Sequence, residues 1–257
     1  MKALEQILND AAPLAIAVSG GVDSMTLAHV AQRTCGRAVR MVHAVSPAVP
    51  AAATRRVERH AARGGWQLDL IDAGEMDDPR YRANPLRRCF FCKDNLYRTI
   101  ASLAKGRVAS GTNTDDLGDF RPGLEAAKAR NVLHPFVDAA MDKAAIYGLA
   151  QSLGLDDLAW LPAQPCLASR VETGIAIEPC DLMFIDAVES RLRYLVNGPA
   201  DLRCRVTHAG IVVEIGGHVP IDTIAQTAAQ ICKDASRRFL GVRPYRRGAA
   251  FLHGAKT

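Results

Sequence analysis

No run of eighteen apolar residues occurs in the 257-residue sequence, and the opening MKALEQILND carries no signal-peptide core. Both absences point to a soluble, cytoplasmic protein with no membrane partner. Internal repeats and low-complexity tracts are missing as well. The charge excess is small: 32 Lys and Arg against 27 Asp and Glu give +5. It is spread over arginine pairs rather than gathered in a tail, which suits an anionic nucleotide and gives no reason to expect a nucleic-acid partner. Seven cysteines is an odd number in a chain without an export signal. That argues against a disulfide framework and for thiol or metal chemistry at some of them. The histidines show no metal-ligand spacing and read as structural or surface residues. What remains is a chain long enough to bury a large core in one large or two modest domains.

The stretch LAIAVSGGVDSMTLAHVA, residues 14–31, is the most informative in the sequence. Leu14, Ala15, Ile16, Ala17 and Val18 form a short, partly β-branched apolar run suited to a strand buried on both faces of a parallel sheet. Gly20 and Gly21 remove side chains where the backbone must turn, and Met25, Leu27, Ala28 and Val30 then recur with helical spacing. Strand, glycine loop and helix in that order aim backbone N–H groups and a positive helix end into one small space, with the Ser19 and Ser24 hydroxyls beside them. Such a space favours phosphate. No Gly-Lys-Ser/Thr follows, so this is not a Walker loop, and the third glycine of the dinucleotide fingerprint is missing. SGGVDS resembles the pyrophosphate loop of the ATP pyrophosphatase superfamily.

Strand-like and helical patterns alternate through the first two thirds of the chain. AVRMVHAVSP, WQLDLIDAGE and RVAS read as strands, and TRRVERHAARGG, Asp94–Lys105 and MDKAAIYGLAQSLGL as helices. This βαβ alternation predicts an α/β fold, a doubly wound parallel sheet with ligands at the carboxyl ends of its strands. Beyond about Val171 the pattern becomes helix (MFIDAVESRLRYLV), hairpin (LRCRVTHAGIVVEIGG), helix (IDTIAQTAAQICKDA) and a closing strand pair (FLGVRPYRRGAAFLHG), which predicts a small α+β domain. We therefore expect a nucleotide domain over residues 1–165 and a C-terminal domain for substrate binding and oligomerisation over 166–257.

Four further segments bear on chemistry. NPLRRCFFCK sets Cys89 and Cys92 two residues apart, so both sulfurs can reach one metal centre. Cys166 stands far off in PCLASR, beside Arg170, which lies close enough to orient an anion. Three thiolates are one too few for a closed structural zinc site, whereas an iron–sulfur cluster on three cysteines keeps one iron open for another ligand. GTNTDDLGDFRPG offers Asp115, Asp116 and Asp119 for Mg²⁺ or for loop capping, and Arg121 for an anion. Arg203 and Arg205 alternate along a strand and so share a face, either to hold an anion or as solvated charges. Cys35, Cys180, Cys204 and Cys232 read as small buried or half-buried side chains.

SGGVDS, VSPAVP, NPLRRCFFCK, GTNTDDLGDFRPG and PCLASR, in this order and at these separations, resemble the LarE family of ATP-dependent sulfur transferases. The motifs span most of residues 14–170. The resemblance implies a step in making the nickel-pincer nucleotide cofactor. A carboxylate of pyridinium-3,5-dicarboxylate mononucleotide attacks the α-phosphate of ATP, pyrophosphate leaves, and sulfur displaces AMP to give a thiocarboxylate. By residue matching it implies ATP and Mg²⁺ at Ser19, Gly20, Gly21, Asp23, Ser24 and Gly111, with Asp23, Ser24 and Cys166 catalytic. It implies substrate binding by Arg170, Arg203 and Arg205, with Glu189 and Glu214 nearby, and a homo-oligomer. Cys166 matches the cysteine that gives up its own sulfur in some members. Members with the additional pair, here Cys89 and Cys92, are associated with a [4Fe–4S] cluster on three thiolates that carries an extra sulfide. The sulfur donor is not legible. The chain departs from the family on the substrate side: VETG follows PCLASR where Pro-Tyr-Gly is usual, VVEI replaces Arg-Ile-Glu, and VRPYRRGAA lacks the Gly-Tyr-Arg-Ser-Gly-Ser run. Two rivals are a tRNA thiolase sharing the loop, and a non-thiolating adenylating ligase or amidase with zinc on its cysteines.

Overall fold

The computed structural model describes residues 1–118, 121–162, 164–196, 198, 200–217 and 219–245. In chain order the strands are β1 (Leu14–Ala17), β2 (Val39–Ala44), β3 (Leu68–Ile71), β4 (Arg107–Ser110), β5 (Leu202–Thr207), β6 (Gly210–Ile215) and β7 (Phe239–Pro244). The α-helices are α1 (Lys2–Ala11), α2 (Val22–Cys35), α3 (Ala51–Gly64), α4 (Pro79–Arg82), α5 (Arg88–Leu103), α6 (Pro122–Ala129), α7 (Pro135–Asp138), α8 (Lys143–Ser152), α9 (Asp156–Ala159), α10 (Pro179–Arg193) and α11 (Ile221–Asp234). Two compact units result, one from residues 1–78 and 89–164, the other from 79–88 and 165–257.

The first unit is built on a parallel sheet ordered β3-β2-β1-β4. Because side chains alternate across a strand, each central strand feeds two cores. Leu14 and Ile16 of β1, Val39 and Met41 of β2, and Ala109 of β4 pack with Leu4 and Leu8 of α1, Met25 of α2, Val57 of α3 and Ile146 of α8. Their neighbours Ala15, Val42 and Val108 pack instead with Tyr97 and Ile100 of α5 and Ala127 of α6. Each fully buried Leu, Ile or Val contributes roughly 1.5–3 kcal/mol over its exposed state, and this two-sided burial fixes the register that puts the loops carrying Ser19–Ser24 and Gly111 at the carboxyl ends of β1 and β4. The α/β parallel sheet expected from the sequence is present, flanked by helices.

Helix boundaries have local causes. Gly65 stops α3 in the left-handed conformation (φ 61°) that glycine adopts at no steric cost. Asp142 starts α8 by accepting the Ala145 N–H at 2.7 Å. The helix read from the sequence as Asp94–Lys105 begins six residues earlier, at Arg88, so that Cys89 and Cys92 are helical rather than on a loop before the helix.

In the second unit β5 and β6 form the expected antiparallel hairpin, and α11 carries the chain across to β7, parallel to β6. α10 packs on β5 with Leu182, Ile185, Val188 and Leu192 buried. Of the closing strand pair, β7 is present; its second half, and the RRGAA of VRPYRRGAA, lie outside the described residues. Residues 79–88 are stitched in by Asn84, whose Nδ2 donates to the carbonyls of Glu172 and Ile175 at 2.9 Å each. Arg82 adds two bonds to the Glu178 carboxylate at 2.6 and 2.7 Å. No helix among the described residues is long and apolar enough to cross a membrane.

Candidate functional site

The glycine loop sits where β1 meets α2. Gly20 is left-handed (φ 80°), and a Cβ there would stand 2.8 Å from the Ala53 carbonyl oxygen. Gly111, at the end of β4, passes the loop so closely that a Cβ would stand 2.7 Å from the Ser24 nitrogen. Only glycine fits either position. The Ser24 hydroxyl accepts the Ser19 N–H at 3.0 Å and lies 3.1 Å from the Ser19 hydroxyl, while the Gly21 N–H donates to Ser19 Oγ at 3.4 Å. The N-cap of α2 is Gly21, which has no side chain to cap the helix. Ser19, Gly20, Gly21, Asp23, Ser24 and Gly111 are thus brought together where β1 meets α2.

A lysine that sequence reasoning missed joins them. Lys143, first residue of α8, sets its ammonium 2.7 and 2.5 Å from the two carboxylate oxygens of Asp23. Burial pushes the Asp23 carboxyl above its ordinary value, and Lys143 works against that by hydrogen bond and charge. The Lys143 N–H donates to Asp115 at 3.1 Å, which ties α8 to the loop after β4. Asp116 accepts the Asn113 N–H at 3.1 Å and pairs with Arg121 at 2.7 Å. Asp115 and Asp116 thus both accept backbone N–H groups; Asp119 lies outside the described residues. Behind β4, Ser110 Oγ lies 2.9 Å from His134 Nδ1, and burial pushes that imidazole below its ordinary value.

Cys89 and Cys92 lie one helical turn apart on α5, both half-buried. Residues three apart on a helix have Cβ atoms about 5–6 Å from each other, a spacing that lets two thiolates bind different irons of one cluster. Cys166 is exposed and belongs to the second unit, just before the turn Leu167–Arg170. Among the described residues no three His, Cys, Asp or Glu side chains are grouped around a single metal-ion position.

The second unit holds the predicted arginines and glutamates on and beside one sheet face. Arg203 faces Glu214 across the hairpin, and Glu214 faces Arg243 on β7. Glu214, 1% exposed, accepts from Arg205 Nε at 2.8 Å and from Arg243 Nη2 at 2.8 Å. Arg205 also donates to the Ser169 carbonyl at 2.6 Å. Arg170 grips Glu189 through two bonds of 2.9 Å and donates to the Pro165 carbonyl at 2.7 Å, so its orientation is set by the loop carrying Cys166. Burial, and then the Arg170 guanidinium, push Arg203 below the ordinary arginine value. Neither strand arginine is a solvated charge. Arg203 also pairs with Asp201 at 3.5 Å, whereas the Arg243 side chain is 48% exposed. Arg243, unlike the others, had no signal in the sequence.

No family model matches the chain. It is 37% identical over 198 residues to "Uncharacterized protein slr1717" of Synechocystis sp., covering 75% of this chain and 73% of that protein. The chain belongs to the slr1717 family. A second relative, "Uncharacterized protein MJ0830" of Methanocaldococcus jannaschii, is 27% identical over 207 residues, 77% of each chain. A further relative of this slr1717-family chain is the "Pyridinium-3,5-bisthiocarboxylic acid mononucleotide synthase" of Lactiplantibacillus plantarum, 27% identical over 197 residues, 73% of this chain and 70% of that one.

Proposed function

We propose that this slr1717-family chain is an ATP-dependent sulfur transferase of nickel-pincer cofactor synthesis. It adenylates a carboxylate of pyridinium-3,5-dicarboxylate mononucleotide and replaces AMP with sulfur. The observation that carries the reading is the Ser19–Ser24 loop with Asp23 and Lys143 beside it, at the carboxyl end of β1. The relative from Lactiplantibacillus plantarum, a pyridinium-3,5-bisthiocarboxylic acid mononucleotide synthase, supports the sulfur-transfer part.

The chemistry needs what these residues supply. A carboxylate resists sulfur attack because its leaving group would be oxide. Attack of its oxygen on the α-phosphorus expels pyrophosphate and converts that oxide into AMP, a good leaving group. Two anions must be held together for this. The loop N–H groups, the two serine hydroxyls, the positive end of α2 and the Lys143 ammonium offset their repulsion, with Mg²⁺ entering with ATP. Arg170, Arg203 and Arg205 hold the acceptor's phosphate, and Glu189 and Glu214 fix their orientation. Cys89, Cys92 and Cys166 are the thiols that would hold a [4Fe–4S] cluster in this reading, and such a cluster would supply the sulfide for the transfer.

The test is pyrophosphate release from ATP with and without the pyridinium dicarboxylate nucleotide, followed by mass analysis of the acceptor with a sulfide source present. Acceptor-dependent release and replacement of one carboxylate oxygen by sulfur are the expected results. Release coupled to an amide product, or none with this acceptor, would reject the assignment.

A further inference from the structure

The first half of α3 is shaped around the glycine loop. Ala53 abuts Gly20, and three residues on, Arg56 reaches back so that its Nη1 donates to the Gly20 carbonyl oxygen at 2.8 Å. The same nitrogen lies 3.3 Å from Gln164 Oε1. Arg56 is buried, with 8% exposure. Removing a guanidinium from water is costly unless its donors are used, and burial, followed by the charge of Arg59, pushes Arg56 below the ordinary arginine value while Asp157 opposes the shift. Four residues further on, His60 lies 2.8 Å from His29 on α2, so α3 grips both the loop and the helix that follows it.

The peptide between Gly20 and Gly21 is planar and trans, so its carbonyl and its N–H point in opposite directions. Arg56 holds the carbonyl on the α3 side. The Gly21 N–H must then point the other way, toward Ser19 Oγ and the loop interior, where it is found. We propose that Arg56 is a positioning residue for the phosphate site: it locks this peptide with the N–H inward and the carbonyl outward, and places a positive charge behind the loop. Without it the peptide is free to flip, and a flipped carbonyl presents a partial negative charge to the incoming anion. The inference rests on reading the loop as an ATP phosphate site.

Calorimetric binding of ATP, pyrophosphate and adenosine to the full chain tests it. Hydrogen bonds involving charged groups are strong enough that Arg56→Ala should weaken ATP and pyrophosphate at least about tenfold. Adenosine affinity should stay unchanged, because adenosine has no phosphate. Added guanidinium ion at low millimolar concentration should restore part of the loss, and Arg59→Ala, which removes a like charge without the carbonyl bond, should bind as the parent does. Arg56→Lys keeps the charge and loses the fork, so it should fall between the two and serves where the alanine variant does not fold. Parent-like pyrophosphate affinity in Arg56→Lys and Arg56→Ala overturns the inference. So does a parallel loss of adenosine affinity without guanidinium rescue, which marks a structural role. A parent chain that binds neither ATP nor pyrophosphate removes the phosphate-site reading itself, which is a different failure from intact parent binding with unaffected variants.

Discussion

The Lys143 ammonium lies 2.7 and 2.5 Å from the carboxylate oxygens of Asp23, although 120 positions separate the two residues. The pair joins the first turn of α2 to the first residue of α8, and both residues are only partly buried, with side-chain exposures of 25% for Asp23 and 33% for Lys143. In the proposed reaction, a phosphate entering beside Ser24 would compete with Asp23 for that ammonium.

Asp23→Ala and Ser24→Ala are expected to keep the fold and lose pyrophosphate release. Lys143→Ala should lower the single-turnover rate of release by roughly a hundredfold, the usual cost of deleting one preorganised donor to developing charge. Rapid-quench measurement of pyrophosphate decides it; a Lys143→Ala chain that matches the parent rate takes Lys143 out of the site.

Arg203→Ala should weaken acceptor binding by about 1.5–3 kcal/mol and leave ATP binding unchanged, because a charge-assisted phosphate contact is lost far from the nucleotide loop in sequence. Arg205 is a poorer test, since it also holds Glu214 and the Ser169 carbonyl. Titration of the acceptor nucleotide into the Arg203 variant is the measurement. Unaltered affinity reduces Arg203 to a sheet-packing residue.

His29 gives the clearest pH prediction. Burial, and next the neighbouring His60, lower its pKa to about 4. The unfolded chain, with an ordinary histidine near 6.5, therefore binds a proton that the folded chain refuses. Stability is complete above 6.5 and is lost as pH falls from there toward about 4. Allowing for the ring's partial exposure, the loss is on the order of 1–2 kcal/mol. Urea unfolding of His29→Gln across this range should show a shallower acid limb than the parent; identical slopes would falsify the assignment.

The three candidate cluster thiols are checked by anaerobic reconstitution with iron and sulfide, read by visible absorption and by turnovers per chain. Each of Cys89→Ala, Cys92→Ala and Cys166→Ala should lose the cluster spectrum, and only the parent should turn over repeatedly. A full spectrum and normal turnover in Cys166→Ala, or a parent that stops after one sulfur with dehydroalanine at position 166, replaces the cluster with a sacrificial cysteine.

Local chemistry made much of this legible. The β1, glycine loop and α2 unit could be read because apolar alternation, two glycines and helical spacing act within eighteen residues. The hairpin that carries Arg203, Arg205 and Glu214 was legible for the same reason: period-two alternation puts them on one face. Lys143, Arg56 and Arg243 were not. Each earns its place through a partner in a distant segment, Asp23, the Gly20 carbonyl and Glu214, and no periodicity encodes such meetings. The early start of α5 was hidden by the Cys-Phe-Phe-Cys run, whose residues are modest helix formers that tertiary packing carries into the helix.

The membership of residues 79–88 in the second unit has a practical consequence for anyone dissecting this protein. With Asn84 and Arg82 supplying bonds to Glu172, Ile175 and Glu178, a fragment beginning at residue 165 lacks part of its own hydrogen-bond complement. A single cut cannot produce it. An autonomous version calls for a synthetic gene that grafts residues 79–88 ahead of residue 165 through a designed linker, and its complement for a nucleotide unit rejoined between residues 78 and 89.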